Sequence, residues 1–232
     1  MTPNSGHAIR NPLHNWHLEH GAHFVDRTGR RLLAHYGNVQ SEVAAIATGI
    51  GLADISSCSK LRLDGPGVGR FASQLAPDGA LTKPGDVATL DCNGPAIACR
   101  LTDRTLFLTT SEANPTLLAE RFSSLPETVA TDLTMAMAGF ILVGPRCEDL
   151  LGRVTALDLS TASVPPGRCS ETSVAGVHAL LVRPPRSTII ETRVYVPPDV
   201  AEYLWDKLLH AGRDFGITAV GLESLGQIRV TP

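Results

Sequence analysis

QSEVAAIATGIGLADISSCSKLRLDGPGVGRF, from Gln40 to Phe71, holds one of each element from which the fold is assembled. Gln40–Gly51 is apolar at helical spacing and carries two stop signals, Gly49 and Gly51. In the stretch LADISSCSKLRLDGP that follows, Leu61 and Leu63 alternate as in a half-buried strand, and Gly65-Pro66 turns the chain. Gly67–Leu75 then reads as a short helix ending before the turn tripeptide Pro77-Asp78-Gly79.

Similar elements recur on both sides. Upstream, LHNWHLEHGA (Leu13–Ala22) predicts a short helix stopped by Gly21. Downstream, ATLDCNGPAIACRLTDRTLFLTT (Ala88–Thr110) predicts two or three strands with turns at Asn93-Gly94 and Thr102-Asp103. Asn114–Ser124 reads as a helix capped by Asn114, with Pro115 at its first position. AGFILVG (Ala138–Gly144) is a strand closed by Gly144-Pro145, and Glu148–Thr155 is a helix. SVPPGRC (Ser163–Cys169) reads as a loop, then HALLVRP and TIIETRVYVPP as strands. Asp199 is expected to cap an amphipathic helix, VAEYLWDKLLHAG, stopped by Gly212. A last helical stretch is expected from about Ala219. Strands and helices interleave without a strict strand–helix–strand repeat, so the expected class is α+β. A Gly-Pro turn opens a helix twice, at Gly65-Pro66 and Gly144-Pro145, which is a faint internal repeat.

Composition limits the function. The chain has 232 residues, 43% of them apolar, so burial can offset the entropy of ordering. A net charge of −3 lacks the basic excess of a general nucleic-acid binder, and no long uncharged apolar run predicts a membrane span. The five cysteines include no Cys-x-x-Cys pair, which gives no zinc-ribbon or thioredoxin-type signal. Residues 1–12 read as a flexible lead-in without signal-peptide character, and 13–232 as the folded unit, with about 54–140 a candidate second lobe. The expected setting is a reduced cytoplasmic protein. His14, His17, His20 and His23 recur every three residues, but without an acidic partner they read as structural, and no metal is expected.

Few catalytic signatures are present. GPGVG near residue 67 lacks the Lys-Ser/Thr of a phosphate loop, and no Gly-x-Ser-x-Gly elbow occurs. Cys58 is a nucleophile if neighbouring charge lowers its pKa, and otherwise a small buried hydrophobe. Asp54 and Glu191 are acids within apolar stretches, which suits either a perturbed site or a cap.

One ordered set of motifs is more specific. His17, Gly21-Ala22, Val25-Asp26, Tyr36-Gly37, Gly51-Leu52-Ala53-Asp54-Ile55-Ser56 and Gly65-Pro66 follow one another as in the opening of the glycine-cleavage T-protein family. FILVGPRCEDLLGRVTALDLS resembles that family's second Gly-Pro helix. VYVPPDVAEYLWDKLLHAGRDFGITAVGLESLGQIRV resembles its last segment before a terminal barrel. The family comprises folate-dependent aminomethyltransferases, related demethylases and the folate-binding parts of sarcosine and dimethylglycine oxidases. The resemblance implies paired α+β layers forming a folate pocket, here without the C-terminal β-barrel. It also implies a carboxylate that stabilises positive charge developing during one-carbon transfer.

The family's charged positions are not kept here. Its Asp-Asp pair falls on Ile97 and Ala98, its two pocket acids on Ile189 and Arg193, its arginine on Leu225 and its pocket methionine on Cys58. A two-residue slip makes Glu191 one of the acids. Each lost charge forfeits a charge-assisted hydrogen bond worth roughly 1.5–3 kcal/mol. The resemblance therefore points to a divergent member acting on a one-carbon or methyl donor or another small ligand, with ordinary tetrahydrofolate-dependent aminomethyl transfer disfavoured. Asp54, Cys58 and Glu191 are the candidate catalytic residues. Tyr36, Cys58, Ile97, His178, Arg193 and Leu225 are the candidate pocket residues. The alternative is a non-catalytic accessory subunit like the γ-type subunit of sarcosine oxidase. A protein partner or a homo-oligomer is expected in addition to the small-molecule ligand.

Overall fold

The computed structural model describes residues 11–27, 30–76, 79–91, 94–110, 120, 122, 125–159, 163–185 and 189–230. Most of the expected lead-in, the Asn114–Ser124 helix apart from positions 120 and 122, and the turn positions Pro77, Asp78 and Asn93 lie outside the described residues. The chain begins with α1 (His14–Glu19) and a hairpin of β1 (His23–Arg27) and β2 (Arg30–His35). Helix α2 (Val39–Thr48) is capped by the Asn38 side chain, which accepts from Ser41 N at 2.9 Å. Strand β3 (Ile50–Asp54) follows at once.

A five-stranded sheet is then built from consecutive chain: β4 (Ser59–Asp64), β5 (Val87–Asp91), β6 (Pro95–Thr102), β7 (Thr105–Thr110) and β8 (Val129–Asp132), in the order β5-β6-β7-β4-β8. Helix α3 (Val68–Leu75) covers its outer face. Strand β9 (Ala138–Val143) returns to pair antiparallel with β3, and α4 (Cys147–Val154) follows. The second sheet is completed by β10 (Arg168–Val174), β11 (Val177–Arg183), β12 (Glu191–Val196) and β13 (Ile217–Val220), in the order β10-β11-β12-β9-β3-β13. Helices α5 (Ala201–Ala211) and α6 (Leu222–Val230) complete the chain.

Two α+β layers result, sheet facing sheet. Strand β9 is buried along its whole length because both its faces are covered. Phe140 and Leu142 point outward to the core under α4 and α5, which includes Trp205 and Leu208. Ile141 and Val143 point inward, against Ile97, Cys99 and Phe107 of the other sheet. The side-chain period of two assigns every strand's residues in this way.

The two Gly-Pro turns occupy equivalent places, each carrying a strand into a helix. Gly65 has φ +146° and Gly144 φ +128°, and a Cβ would lie 2.1 Å from Glu127 O in the first and 2.4 Å from Gly49 O in the second. Only glycine meets both the dihedral and the close approach.

Several boundaries differ from the sequence reading. Ile50–Asp54 is strand, because α2 already ends at Thr48 and the following residues pair with β9. Ala219 and Val220, expected to open the last helical stretch, belong instead to Ile217–Val220, which pairs in parallel with β3, and the helix begins only at Leu222. Arg168 and Cys169, placed in a loop, open β10. Asp199 does not cap α5; it lies in a 3₁₀ turn, and α5 has no side-chain cap bond. Among the described residues no helix is long and apolar enough to cross a membrane.

Candidate functional site

The period-two alternation directs Ile97, Thr109 and Arg193 into the space between the sheets, and the turn before β4 brings Cys58 there. With Ile55, Pro95, Thr110, Ile141 and Leu222 they line a cavity of about 80 Å³. Arg193 is its principal charge. Its Nε donates to Glu191 Oε1 at 2.8 Å, and both side chains are largely buried. Burial works to lower the Arg193 pKa, but the Glu191 and Tyr195 interactions outweigh it, so the guanidinium stays charged. Behind it the Tyr195 hydroxyl, 1% exposed, has Thr109 and Arg193 beside it but closes a well-formed hydrogen bond with neither. An unmade buried bond of this kind costs about 1–3 kcal/mol. Burial pushes the Tyr195 pKa up to about 12.

The wall formed by Ile55–Cys58 is fixed from two directions. Asp54 Oδ1 accepts from Ser56 N at 2.7 Å. The Lys60 ammonium, wholly buried, donates to the carbonyls of Ser56 at 2.8 Å, Cys58 at 3.0 Å and Ile55 at 3.4 Å. Burial pushes the Cys58 thiol pKa up, against the pull of Lys60, Arg193 and Arg30, so at neutral pH this sulfur is a thiol.

Burial also lowers the Lys60 pKa to about 8 from 10.5. Above about pH 8 the folded chain releases this proton before the unfolded chain does, so unfolding takes up protons and stability rises with pH in that window. Wild type should gain about 1 kcal/mol relative to Lys60→Met between about pH 7 and about pH 9 in urea unfolding. A flat or falling difference would contradict this.

Asp54 does not line the cavity. Its Oδ2 accepts from His17 Nε2 and Asn11 Nδ2, each at 2.7 Å, and the Tyr36 hydroxyl donates to His17 Nδ1 at 2.6 Å. Burial alone would raise the Asp54 pKa; the His17 bond and charge and the Ser56 bonds outweigh it and hold the carboxyl below its usual range. Burial, with the charges of Asp54 and Glu42, pushes Tyr36 well above a normal phenol. The three groups form a closed buried relay packed against Trp16 and Trp205.

The candidate residues therefore fall into groups. Cys58, Ile97 and Arg193 come together at the cavity, and Glu191 holds Arg193. Tyr36 and Asp54 belong to the relay. Leu225 is buried in the inter-sheet core without lining the cavity, and His178 is exposed at the β10–β11 hairpin end. The other histidines of the N-terminal series diverge: His20 stacks on Trp16 and His23 on His35. Among the described residues no group of three or more His, Cys, Asp or Glu could hold a metal. Sequence reasoning missed Thr109, Thr110 and Leu222 as lining residues. The available signal was strand parity: Thr109 shares a face with Phe107 and opposes Ile97.

A larger open groove of about 710 Å³ runs between the β1–β2 hairpin and α6, lined by Val25, Arg27, Leu32, Ala34, Leu222 and Glu223 among others. Leu222 borders both the groove and the cavity.

Comparison with known proteins matches residues 13–231 to the GCVT N-terminal domain. The aminomethyltransferase of Desulforamulus reducens is 26% identical over 233 residues, covering 95% of this chain and 63% of that protein. Sarcosine oxidase subunit alpha of Rhizobium meliloti is 26% identical over 249 residues, covering 95% of this chain and 25% of that protein. The crystal structure of glycine cleavage system aminomethyltransferase T from Bartonella henselae superposes with a TM-score of 0.75 at 23% identity, over 94% of this chain and 61% of that one. A chain of the heterotetrameric sarcosine oxidase from Corynebacterium sp. U-96 superposes with a TM-score of 0.62 at 19% identity, over 91% of this chain and 98% of that one. The chain thus spans a quarter of the alpha subunit and under two thirds of the aminomethyltransferases it matches. With the domain matched from residue 13 to residue 231 and the same paired-layer fold, the chain belongs to the family of the glycine-cleavage T-protein N-terminal domain.

Proposed function

We propose that this protein is a divergent T-protein-like member that acts through the inter-sheet cleft on a one-carbon or methyl donor or another small ligand, without ordinary tetrahydrofolate-dependent aminomethyl transfer. The observation that carries the reading is the cavity itself. At about 80 Å³ it is small, lined by Ile55, Ile97, Ile141 and Leu222 around the Arg193 guanidinium. Its charge supports the same reading: Arg193 stands where the resemblance puts an acid, and Ile97 where it puts an aspartate. Arg193 and the Cys58 thiol present polar groups to the ligand. Asp54, Lys60 and Glu191 act as positioning residues, the first two through the Ile55–Cys58 wall and the third through Arg193. Tetrahydrofolate should leave the Tm of the purified chain unchanged, and a rise of several degrees would overturn the reading.

A second reading is an accessory subunit of a larger oxidase or demethylase complex. It is favoured by the sarcosine oxidase chain that this one covers almost completely, a chain of similar length within a heterotetramer. Co-purification with an oxidase or demethylase partner from the native source supports this reading. A stable lone monomer or homodimer supports the first.

A further inference from the structure

We propose that the inter-sheet cavity is a binding site for a short aliphatic monocarboxylate, of acetate to butyrate size, held by the Arg193 guanidinium. This rests on the reading above that the cleft is the ligand site, and it narrows the ligand. Four observations support it.

The first is the donor set. A guanidinium carries five N–H donors in a planar fork, and Arg193 gives Nε to Glu191. Its terminal edge matches the two oxygens of one carboxylate. The second is the neighbouring hydroxyl. Thr109 lines the cavity beside the Tyr195 hydroxyl and opposite Ile97, and its own hydroxyl is a polar contact for a ligand oxygen. Thr110 differs, because its hydroxyl already donates to Pro95 O at 2.9 Å.

The third is the field at the wall. Lys60, Arg193 and Arg30 stand near Cys58 as cations, with Asp54 the anion on the same side. Glu191 is the counter-charge on the Arg193 side, and its bond is to Nε. The fourth is the remaining lining, Ile55, Ile97, Ile141 and Leu222, which suits an alkyl chain. Among the described residues no carboxylate lines the cavity, which disfavours the ammonium of an amino acid there. The small volume of about 80 Å³ favours a short chain over a long one.

The test is thermal unfolding of the purified full chain at constant ionic strength and neutral pH. Sodium acetate, propionate and butyrate are compared with sodium chloride, methylammonium chloride, glycine and sodium benzoate. The three aliphatic carboxylates should raise Tm by a few degrees, saturably, and the other four should not. Arg193→Gln should abolish the rise. If that variant fails to fold because Glu191 loses its cation, Thr109→Val keeps the ion pair and should weaken binding several-fold. Leu222→Ala, which opens the cavity toward the groove, should admit benzoate. Carboxylates no more effective than chloride, or an undiminished rise in a folded Arg193→Gln or Thr109→Val chain, would overturn the proposal. A tetrahydrofolate response would sink the reading of the cleft as well. Absence of both responses would remove the carboxylate proposal alone.

Discussion

Glu42→Ala should lower the unfolding free energy by about 4 kcal/mol or more, because three donors lose their acceptor inside the protein at once. Glu42 lies in the first turn of α2 and is 5% exposed. Its Oε1 accepts from Tyr36 N at 2.5 Å, and its Oε2 from Gly221 N at 2.8 Å and Ser224 Oγ at 2.5 Å. One carboxylate thus ties the end of the β2 hairpin, helix α2 and the start of α6 together. It stands at the N-terminus of α6, where unbonded N–H groups favour negative charge. Since α6 contributes Leu222 to the cavity, the effect should reach the ligand site. Urea unfolding measures the loss, and amide exchange should show α6 opening before the sheets. Glu42→Gln retains one accepting oxygen and should cost about 1–2 kcal/mol. A cost for Glu42→Ala below about 1 kcal/mol would mean that water takes over the three bonds.

His17→Leu should cost about 3 kcal/mol, because a buried carboxylate loses a donor and the Tyr36 hydroxyl loses its acceptor at once. His17 and Asp54 side chains are both 0% exposed at 2.7 Å. Leucine leaves Asp54 with Asn11 and Ser56 alone, and leaves the Tyr36 hydroxyl without its acceptor. The pH dependence has a definite sign. The folded Asp54 pKa lies below 3.8, so its contribution is complete above that value and is lost as pH falls through the folded value. Without His17, burial dominates and the carboxyl protonates at higher pH. The gap between wild type and His17→Leu should therefore be widest near neutrality and should narrow in acid. A gap that stays constant into acid would mean that Asp54 is not the group responsible.

Much of the fold was legible because its causes are local. The helix over Gln40–Thr48, the strand containing Leu61 and Leu63, and both Gly-Pro turns rest on periodicity and on dihedrals available only to glycine. Parity along β6 and β7 was an unused signal: Thr109 opposes Ile97 and shares its face. The missed strands are those whose pairing is remote. Ile217–Val220 is four residues long and becomes strand only because β3 lies beside it. Arg168–Val174 needs β11 to reveal a hairpin.

The polar networks were illegible for the same reason. Glu42 meets Gly221 and Ser224 across 179 and 182 residues, and His17 meets Asp54 across 37. In sequence, a glutamate in a helix's first turn looks like a solvated charge, and an acid before Ile-Ser-Ser looks like a cap. The sequence by itself determined the family and the α+β class, since these reside in residue identity and short-range pattern. Only the tertiary structure decided that Asp54 is locked in a relay, that Arg193 faces the cleft beside Cys58, and how small that cleft is. Those properties come from packing two sheets face to face, and the residues involved approach one another only when that packing has formed.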